Sequence, residues 1–554
     1  LSSKIQLEGP IIRDKTSFNI SARRSYIDLI AKPFMPKDDK ISYYFYDINA
    51  KINHKFSDRS RLFLNFYNGK DSYYFKTTDS SSSMYKDKMS LNWGNTIATA
   101  RWNYIFNQKL FSNTTVAYNK YRMDANSTVY TKTNLIESIS ESNYHSNYHS
   151  GICDWSYLID FDYNPTPAHH IKFGAGYLHH DFRPEVATSK IQEKEDGITK
   201  QDTLSNSTIQ AHEVSAYIED NFDIGSRLRM NVGLHLSMFR VQKRNYFSAQ
   251  PRVSARYQLT RHTALKASYT KMSQYIHLLS STPISMPTDL WVPVTSKIKP
   301  MQAHQYSLGS YYTGLPGWEF SVEGYYKQMR NVLEYKEGVS FLGSSSGWEN
   351  KVEMGKGRSM GIEFMAQKTT GKTTGWIAYT LAKSDRKFAV GGINNGERFP
   401  YKYDRRHNLS LVVNHKFSNR IDIGASWIFS TGGTATIAEE VTAIIRPGED
   451  AIQQKDYIEK RNNYRLPASH RLNIGVNFNK KTKHGVRTWN ISLYNAYNAM
   501  NPTMIYSNNS GGYASYIKNQ EDGKVYLQYI PAKRKITKLT LLPCVPSVTY
   551  TYKF

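Results

Sequence analysis

Val548-Thr549-Tyr550-Thr551-Tyr552-Lys553-Phe554 closes the chain in strict alternation of apolar and polar residues and stops on an aromatic ring. Strand side chains repeat every two residues, so Val548, Tyr550, Tyr552 and Phe554 share one face while Ser547, Thr549, Thr551 and Lys553 share the other. One face suits lipid and the other a wet lumen, which is the pattern of the closing strand of a transmembrane β-barrel.

The same rhythm recurs upstream. Leu62, Leu64 and Phe66 oppose Arg61, Phe63 and Asn65; Val214, Ala216 and Ile218 oppose Glu213, Ser215, Tyr217 and Glu219; Leu472, Ile474, Val476 and Phe478 oppose Asn473, Gly475 and Asn477. In such strands the charges keep one phase. Glu213, Glu219, Glu319, Glu323, Arg256 and Lys266 would be costly against lipid at mid-membrane, so their phase assigns the inner surface.

Composition agrees with an all-β, transmembrane antiparallel barrel. The 554 residues show no shift in composition that would mark a boundary, so residues 1–554 are expected to form one barrel domain. No window approaches the eighteen or so consecutive apolar residues of a membrane helix, a test that a barrel escapes because only alternate residues need be apolar. The 42 Tyr, 24 Phe and 9 Trp supply rings for girdles at both membrane interfaces. Cys153 and Cys544, far apart in sequence, argue against a disulfide framework or a cysteine metal site. The net charge of +26 is spread along the chain instead of gathering in a patch or arm, which argues against nucleic acid as a partner. Outward cations facing outer-membrane lipid and lipopolysaccharide account for it better, with an anionic cargo as the sharper alternative. The chain opens on a strand-like run without a signal peptide, so the expectation is that an N-terminal portion has been removed or left out.

Two kinds of connection alternate. Tight reversals lie at 12–15, 56–59, 107–109, 164–167, 223–226, 260–262, 314–317, 371–373 and 417–420, and would be periplasmic. Longer polar stretches near 31–42, 76–88, 125–150, 184–209, 278–300, 337–356, 387–400, 431–466 and 507–534 would be extracellular loops. The pattern gives about 21 strands. Bacterial single-chain barrels have even strand numbers, so a parent of 22 strands, with one before Leu1, is expected; that size belongs to plugged transporters and not to open porins.

Several stretches resemble the barrel of Bacteroidetes TonB-dependent receptors. They are Ser2–Ile12 followed by Ser21–Asp28, Glu323-Gly324-Tyr325-Tyr326-Lys327, Gly355–Glu363, Gly375–Leu381, Tyr403-Asp404-Arg405-Arg406-His407-Asn408-Leu409 and Asn495-Ala496-Tyr497-Asn498. The resemblance implies a cell outer-membrane, multi-pass receptor that imports a scarce solute, energised through the inner-membrane TonB complex. It also implies an upstream plug domain absent from this sequence, a terminal aromatic, Phe554, read by the barrel-assembly machinery, and in nutrient importers a surface lipoprotein lid. A passive pore or a structural and adhesive barrel is the alternative.

Catalytic and cofactor chemistry find no support: no nucleophile–base order, phosphate-cradling loop or metal-type spacing stands out. His169-His170 and His179-His180 are adjacent on strands and therefore point to opposite faces, so neither pair chelates as a unit. The tandem Ser142–His149 repeats Tyr and His every four residues and is expected in a surface loop. Cargo contacts should come from the outer loops and upper lumen, with Tyr275, Trp291, Trp348, Arg398 and Tyr513 as candidates. The Arg405-Arg406-His407 run is expected to buttress the wall through ion pairs.

Overall fold

The computed structural model describes every residue except 1, 35–39, 80–83, 135–138, 194–197, 207, 280–288, 338, 340–346, 439, 446–451, 503, 511–512, 519–524, 531–532, 541–542 and 554. For helix residues 30, 31 and 34 and strand residues 79, 133–134, 139–140, 185–193, 198–206, 440–445, 452–456, 504–510, 513–518, 525–530, 533–535 and 539 it describes the backbone alone. Phe554, the expected assembly signal, lies outside the described residues.

One antiparallel sheet of 23 strands dominates the molecule. Two of these, Ile198–Asn206 and Phe399–Pro400, pair only with the upper part of a neighbour. The other 21 form the wall, each paired with the next in sequence, as the alternation of turns and loops predicts. They are β1 (Ser2–Ile12), β2 (Thr16–Ser25), β3 (Lys40–Ser57), β4 (Ser60–Asp79), β5 (Met84–Asn107), β6 (Leu110–Asn134), β7 (Ile139–Thr166) and β8 (His169–Glu193). Next come β9 (Ile209–Ile224), β10 (Leu228–Val241), β11 (Arg244–Gln258), β12 (Thr263–Gln274), β13 (Met301–Tyr312), β14 (Trp318–Tyr335), β15 (Val352–Lys368) and β16 (Thr373–Lys387). The last five are β17 (His407–Lys416), β18 (Ile421–Ser430), β19 (Ser469–Thr482), β20 (Gly485–Tyr494) and β21 (Val545–Lys553). Among the described residues no ladder joins β1 to β21.

Register fixes the two faces. Ile218 of β9 lies level with Phe173 of β8 and Leu234 of β10, and Leu64 of β4 with Ile52 and Ala100, so apolar side chains form continuous cross-strand rows. Ile218, Leu234, Leu64 and Ile52 are all exposed, as a surface that meets acyl chains must be. Glu213, Glu323 and Lys266 occupy the opposite phase. Glu323 accepts from Tyr311 Oη at 2.8 Å, and Lys266 Nζ lies 3.9 Å from the centre of the same ring. That face is the inner one, because buried Ala211 and Phe239, in phase with Glu213, are covered by a loop folded back over them. On β21, Val548, Tyr550 and Tyr552 are exposed on the lipid face, as the alternation predicts.

All nine expected tight turns are present, and a tenth joins Thr482 to Gly485. The loop end departs from expectation in two ways. Between β10 and β11 the connection is only Gln242-Lys243, both in the left-handed region at φ 47° and 67°, as a two-residue hairpin turn requires. Neither residue is glycine or asparagine, so the usual signal is missing. Elsewhere the expected loops at 76–88 and 125–150 continue as paired strands: β5 to β8 run 24, 25, 28 and 25 residues, far beyond the 9–11 that cross a bilayer.

The Ser142–His149 tandem accordingly sits on β7 and not in a loop. A repeat of four on a strand keeps each residue type on one face. His145 and His149 hydrogen-bond Thr128 and Asp124 at 2.8 Å each, while Tyr148 is buried on the other side. His170 and His169 likewise pair with separate carboxylates, Asp162 and Asp220, at 2.7 Å each. Both cysteines are free.

The face assignment predicts that Ile218→Lys destabilises the barrel by ~2–4 kcal/mol, the cost of a cation facing lipid near mid-membrane. Ser268→Lys, on the inner face, is expected to cost far less. Urea unfolding in detergent or lipid, followed by heat-modifiable gel migration, measures both.

Candidate functional site at the barrel mouth

The loop between β12 and β13 supplies a small sheet of its own at the mouth. Ile276–Leu279 pairs with Leu290–Pro293 as a short hairpin separate from the wall sheet. Alternation again explains its packing: Leu290 and Val292 are fully buried, while Trp291 between them is half-buried on the other face. The hairpin packs against β7, β8 and β14, and so reaches across the bore from the strands that carry it. Its hydrophobic seat is made from inner-face residues of six wall strands, including Met123, Tyr148, Phe182, Ala211 and Phe239.

Polar groups pin the return segment. Tyr246 Oη donates to Thr295 O at 2.7 Å, and Ser296 N donates to Gln242 Oε1 at 3.1 Å, which ties the segment to the tight β10–β11 turn. From the far side Asn331 Nδ2 donates to Pro300 O at 2.8 Å. Thr295 is itself inaccessible, and its hydroxyl accepts from Lys297 N and Ile298 N at 3.2 Å each.

Tyr275 stands at the root of this hairpin. Its ring stacks on Phe239 at 4.7 Å with an interplanar angle of 4°, and its hydroxyl bonds Ser237 Oγ at 2.7 Å. Ser237 also receives Gln250 Nε2 at 3.0 Å, and Gln250 Oε1 accepts from Ser273 N at 3.0 Å. Below, His180 lies within stacking distance of Phe182 and Phe239, and its Nδ1 is 2.8 Å from Asp154 Oδ1. A band of aromatic rings therefore sits on a hydrogen-bonded polar floor.

The structure brings Tyr275 and Trp348 into one cluster, Trp348 coming from the short turn Trp348–Lys351 with 3% exposure, and places Trp291 on the adjoining hairpin. Arg398 lies elsewhere. It shares buried Asp385 with Arg358, whose Nε is 2.8 Å from Oδ2, and Asp385 is in phase with lipid-face Leu381. The Tyr513 backbone belongs to the strand Tyr513–Lys518, paired with Val525–Ile530, and its side chain lies outside the described residues.

A second part of the mouth is stitched from two loops. Asp404 is almost fully buried and accepts from Ser384 N and Arg465 Nη2 at 2.6 Å each and from Arg406 Nη2 at 3.3 Å, the buttress expected of that run. Arg461 pairs with Glu334 at 3.0 Å and donates to Tyr335 O at 3.1 Å, while its backbone N–H reaches Asn394 Oδ1 at 2.9 Å. On the inner face Arg386 lies 4.1 Å from the centre of the Tyr401 ring, and Arg471 lies 4.3 Å from that of Tyr494. Sequence reasoning passed over Phe239, Arg386 and Tyr401. An aromatic in the polar phase of a strand, as Phe239 is beside His235 and Ser237, is the signal that would have found the first.

Comparison with known proteins follows from this architecture. The model of the family described as TonB dependent receptor-like, beta-barrel, matches residues 34–499, and the chain belongs to that family. It is a TonB-dependent receptor barrel of the outer membrane, a transporter class and not an enzyme class. No curated protein matches. Among solved structures, the ferric-catecholate import receptor Fiu of E. coli K12 is similar with a TM-score of 0.60 at 11% identity, over 99% of this chain and 80% of that one. The siderophore receptor PiuA of Acinetobacter baumannii gives 0.59 at 11% identity over the same shares, 99% and 80%. BauA, the ferric preacinetobactin receptor of the same species, gives 0.56 at 12% over 97% and 77%.

One titratable group reports on the hairpin. His277 is buried between its strands, Nε2 has no hydrogen-bond partner among the described residues, and burial pushes the imidazole down to about 4 from 6.5, opposed by a hydrogen bond to the Lys299 backbone. The seated hairpin holds His277 neutral, whereas the released hairpin protonates it near 6.5. Seating is therefore fully favoured above about pH 6.5 and weakens as pH falls from there through about 4. Tryptophan fluorescence between pH 7.5 and 5 is expected to shift red as Trp291 and Trp348 gain water, and His277→Gln to remove the shift. An equal shift in both proteins would locate the titration elsewhere.

Proposed function

We propose that this barrel is the wall of an importer for an anionic metal chelate of the ferric-siderophore class, taken up by energy passed from the TonB complex. The inner mouth carries the observation in favour: the partly exposed Arg386–Tyr401 and Arg471–Tyr494 pairs put flat rings and guanidinium groups on the inward surface. Such a surface binds planar, anionic, oxygen-rich ligands by stacking and charge-assisted hydrogen bonds. The structurally similar receptors that take ferric siderophores support the same class.

The remaining assignments rest on resemblance. Residues 1–554 are read as one barrel domain of a Bacteroidetes receptor, working with a plug domain, delivered by the barrel-assembly machinery through Phe554, and in a nutrient-import setting covered by a surface lipoprotein. Trp291, half-exposed on the hairpin, is proposed to meet cargo directly, and Tyr275 and Trp348, buried beneath the hairpin, to meet it once the hairpin is released. Arg398 is proposed to act through Asp385 on the shape of its loop, and Tyr513 to contribute from the loop between β20 and β21.

The test is uptake by the full-length receptor, with its plug, in vesicles coupled to a TonB complex and an imposed proton gradient. A ferric catecholate should accumulate faster with the gradient than without it, and Arg386→Gln should lower its affinity about tenfold. A gradient-independent rate would favour the passive pore, and gradient-dependent uptake of a neutral oligosaccharide in its place would overturn the cargo class.

A further inference from the structure

The outer surface of β2 to β8 changes character abruptly above its apolar belt. On β4 the outward residues read Leu62, Leu64, Phe66, Asn68, Lys70; on β6 they read Val116, Tyr118, Lys120, Arg122; on β8, Phe173, Ala175, Tyr177, His179, Asp181, Arg183. Register aligns the last member of each. Lys70 stands opposite Gly94, Gly94 opposite Arg122, Arg122 opposite Gly151 and Gly151 opposite Arg183. Cation and glycine thus alternate across five neighbouring strands in one row, with cations on every second strand, about 10 Å apart.

The glycines shape this surface. A Cβ on Gly94 would fall 2.3 Å from Gly69 O, and one on Gly151 would fall 2.9 Å from Tyr121 O, so neither position accepts a side chain without backbone movement. The wall is hollowed on both sides of Arg122. One cavity of about 380 Å³ is lined by Lys70, Gly94 and Arg122 together with Asn68, Asn92 and Thr96. Another of about 400 Å³ is lined by Arg122, Gly151, Arg183, Gln210 and Thr208. Both hold cations and side-chain amides or hydroxyls, and each has one carboxylate in its lining, Asp124 in the first and Asp181 in the second.

Charge there is unbalanced. Asp124 takes the Arg122 fork at 2.7 and 3.0 Å, and Asp181 takes Gln210 at 3.0 Å and His179 at 3.5 Å. Lys70, Lys120 and Arg183 make no ion pair among the described residues. Four cations against two carboxylates leave two positive charges on a face that a protein partner in the bilayer would need neutral, ~10–15 Å above the lipid-facing rings Phe66, Tyr118 and Tyr177.

We propose that this row seats the phosphorylated headgroup of an outer-leaflet glycolipid, one phosphate over Gly94 between Lys70 and Arg122 and another over Gly151 between Arg122 and Arg183. The Arg183 fork, the Lys70 ammonium and the Nη1 of Arg122, whose Nε and Nη2 are held by Asp124, suit phosphate, and the acyl chains continue downward over Phe66, Tyr118 and Tyr177, which are in the same phase and already face lipid. The two cavities are two strands apart, so a sugar core bearing a phosphate at each end spans them. The binding is independent of cargo and of the plug.

The test uses the full chain in mild detergent, with bis-phosphorylated lipid A as probe and dephosphorylated lipid A and phosphatidylglycerol as comparisons, read by native mass spectrometry. The wild type should retain the bis-phosphorylated lipid at least tenfold better than either comparison. The triple variant Lys70→Gln, Arg122→Gln, Arg183→Gln should lose that preference, while Lys172→Gln with Lys266→Gln, on the inner face, should keep it. Folding of each is checked by heat-modifiable migration. Should the triple variant not fold, Arg183→Gln alone is expected to lower retention about threefold or more. Equal retention of phosphorylated and dephosphorylated lipid by the wild type, or undiminished retention by whichever of these variants folds, would overturn the proposal.

Discussion

A backbone amide in hydrocarbon has no water to bond, so every N–H and C=O that crosses the bilayer must find its partner on a neighbouring strand. That demand commits the chain to ladders, and the ladder commits its side chains to a period of two. Everything chemically useful is thereby confined to alternate residues. Glu213, Glu323, Lys266 and the Asn473–Asn477–Asn490 series lie inward, where Asn490 Nδ2 reaches Asn477 Oδ1 and Asn477 Nδ2 reaches Asp422, both at 2.7 Å. The inner wall satisfies its own polar groups across strands, which leaves the mouth as the place where unlike elements meet.

At that mouth the loops are held by two different means. The hairpin 276–293 is held by burial: Leu279, Leu290, Val292 and Val294 are almost wholly inaccessible, and each such side chain contributes ~1.5–3 kcal/mol. The loops at 388–406 and 459–466 are held by carboxylates instead. Asp385 and Asp404 are each buried and each bridged by two arginines, so removing either would strand cations, and removing Asp404 would strand the Ser384 backbone donor as well. Apolar seating tolerates sliding, whereas a forked ion pair fixes direction. The two halves of the rim thus differ in how sharply their geometry is defined.

Much of the wall was legible in the sequence because period-two alternation is a local signal. The 21 strands, the nine tight turns and the inward phase of the charges follow from it, and the terminal strand shows the rule in seven residues. What was not legible was non-local. Gln242-Lys243 turns without glycine because the register of β10 against β11 forces it, and no neighbouring residue announces that. Ser142–His149 looked like a loop since its residues are polar, yet polar residues are admissible on a strand that rises above the membrane. Of the candidate contacts, Tyr275 and Trp348 converge through a loop closure of some seventy residues, and Arg398 was drawn to Asp385 by a charge that the strand pattern places on the outside.

Uneven strand length gives the cylinder an oblique rim. The ladders from β5 to β8 extend for 24 to 28 residues, while β17, β18 and β20 each stop at 10. At about 3.3 Å per residue and a tilt near 40°, one flank rises ~60–70 Å and the other ~25 Å. A small solute diffuses over such a slope without noticing it. A large body does not, because the strands that extend past the bilayer on one flank stand in its way on that side.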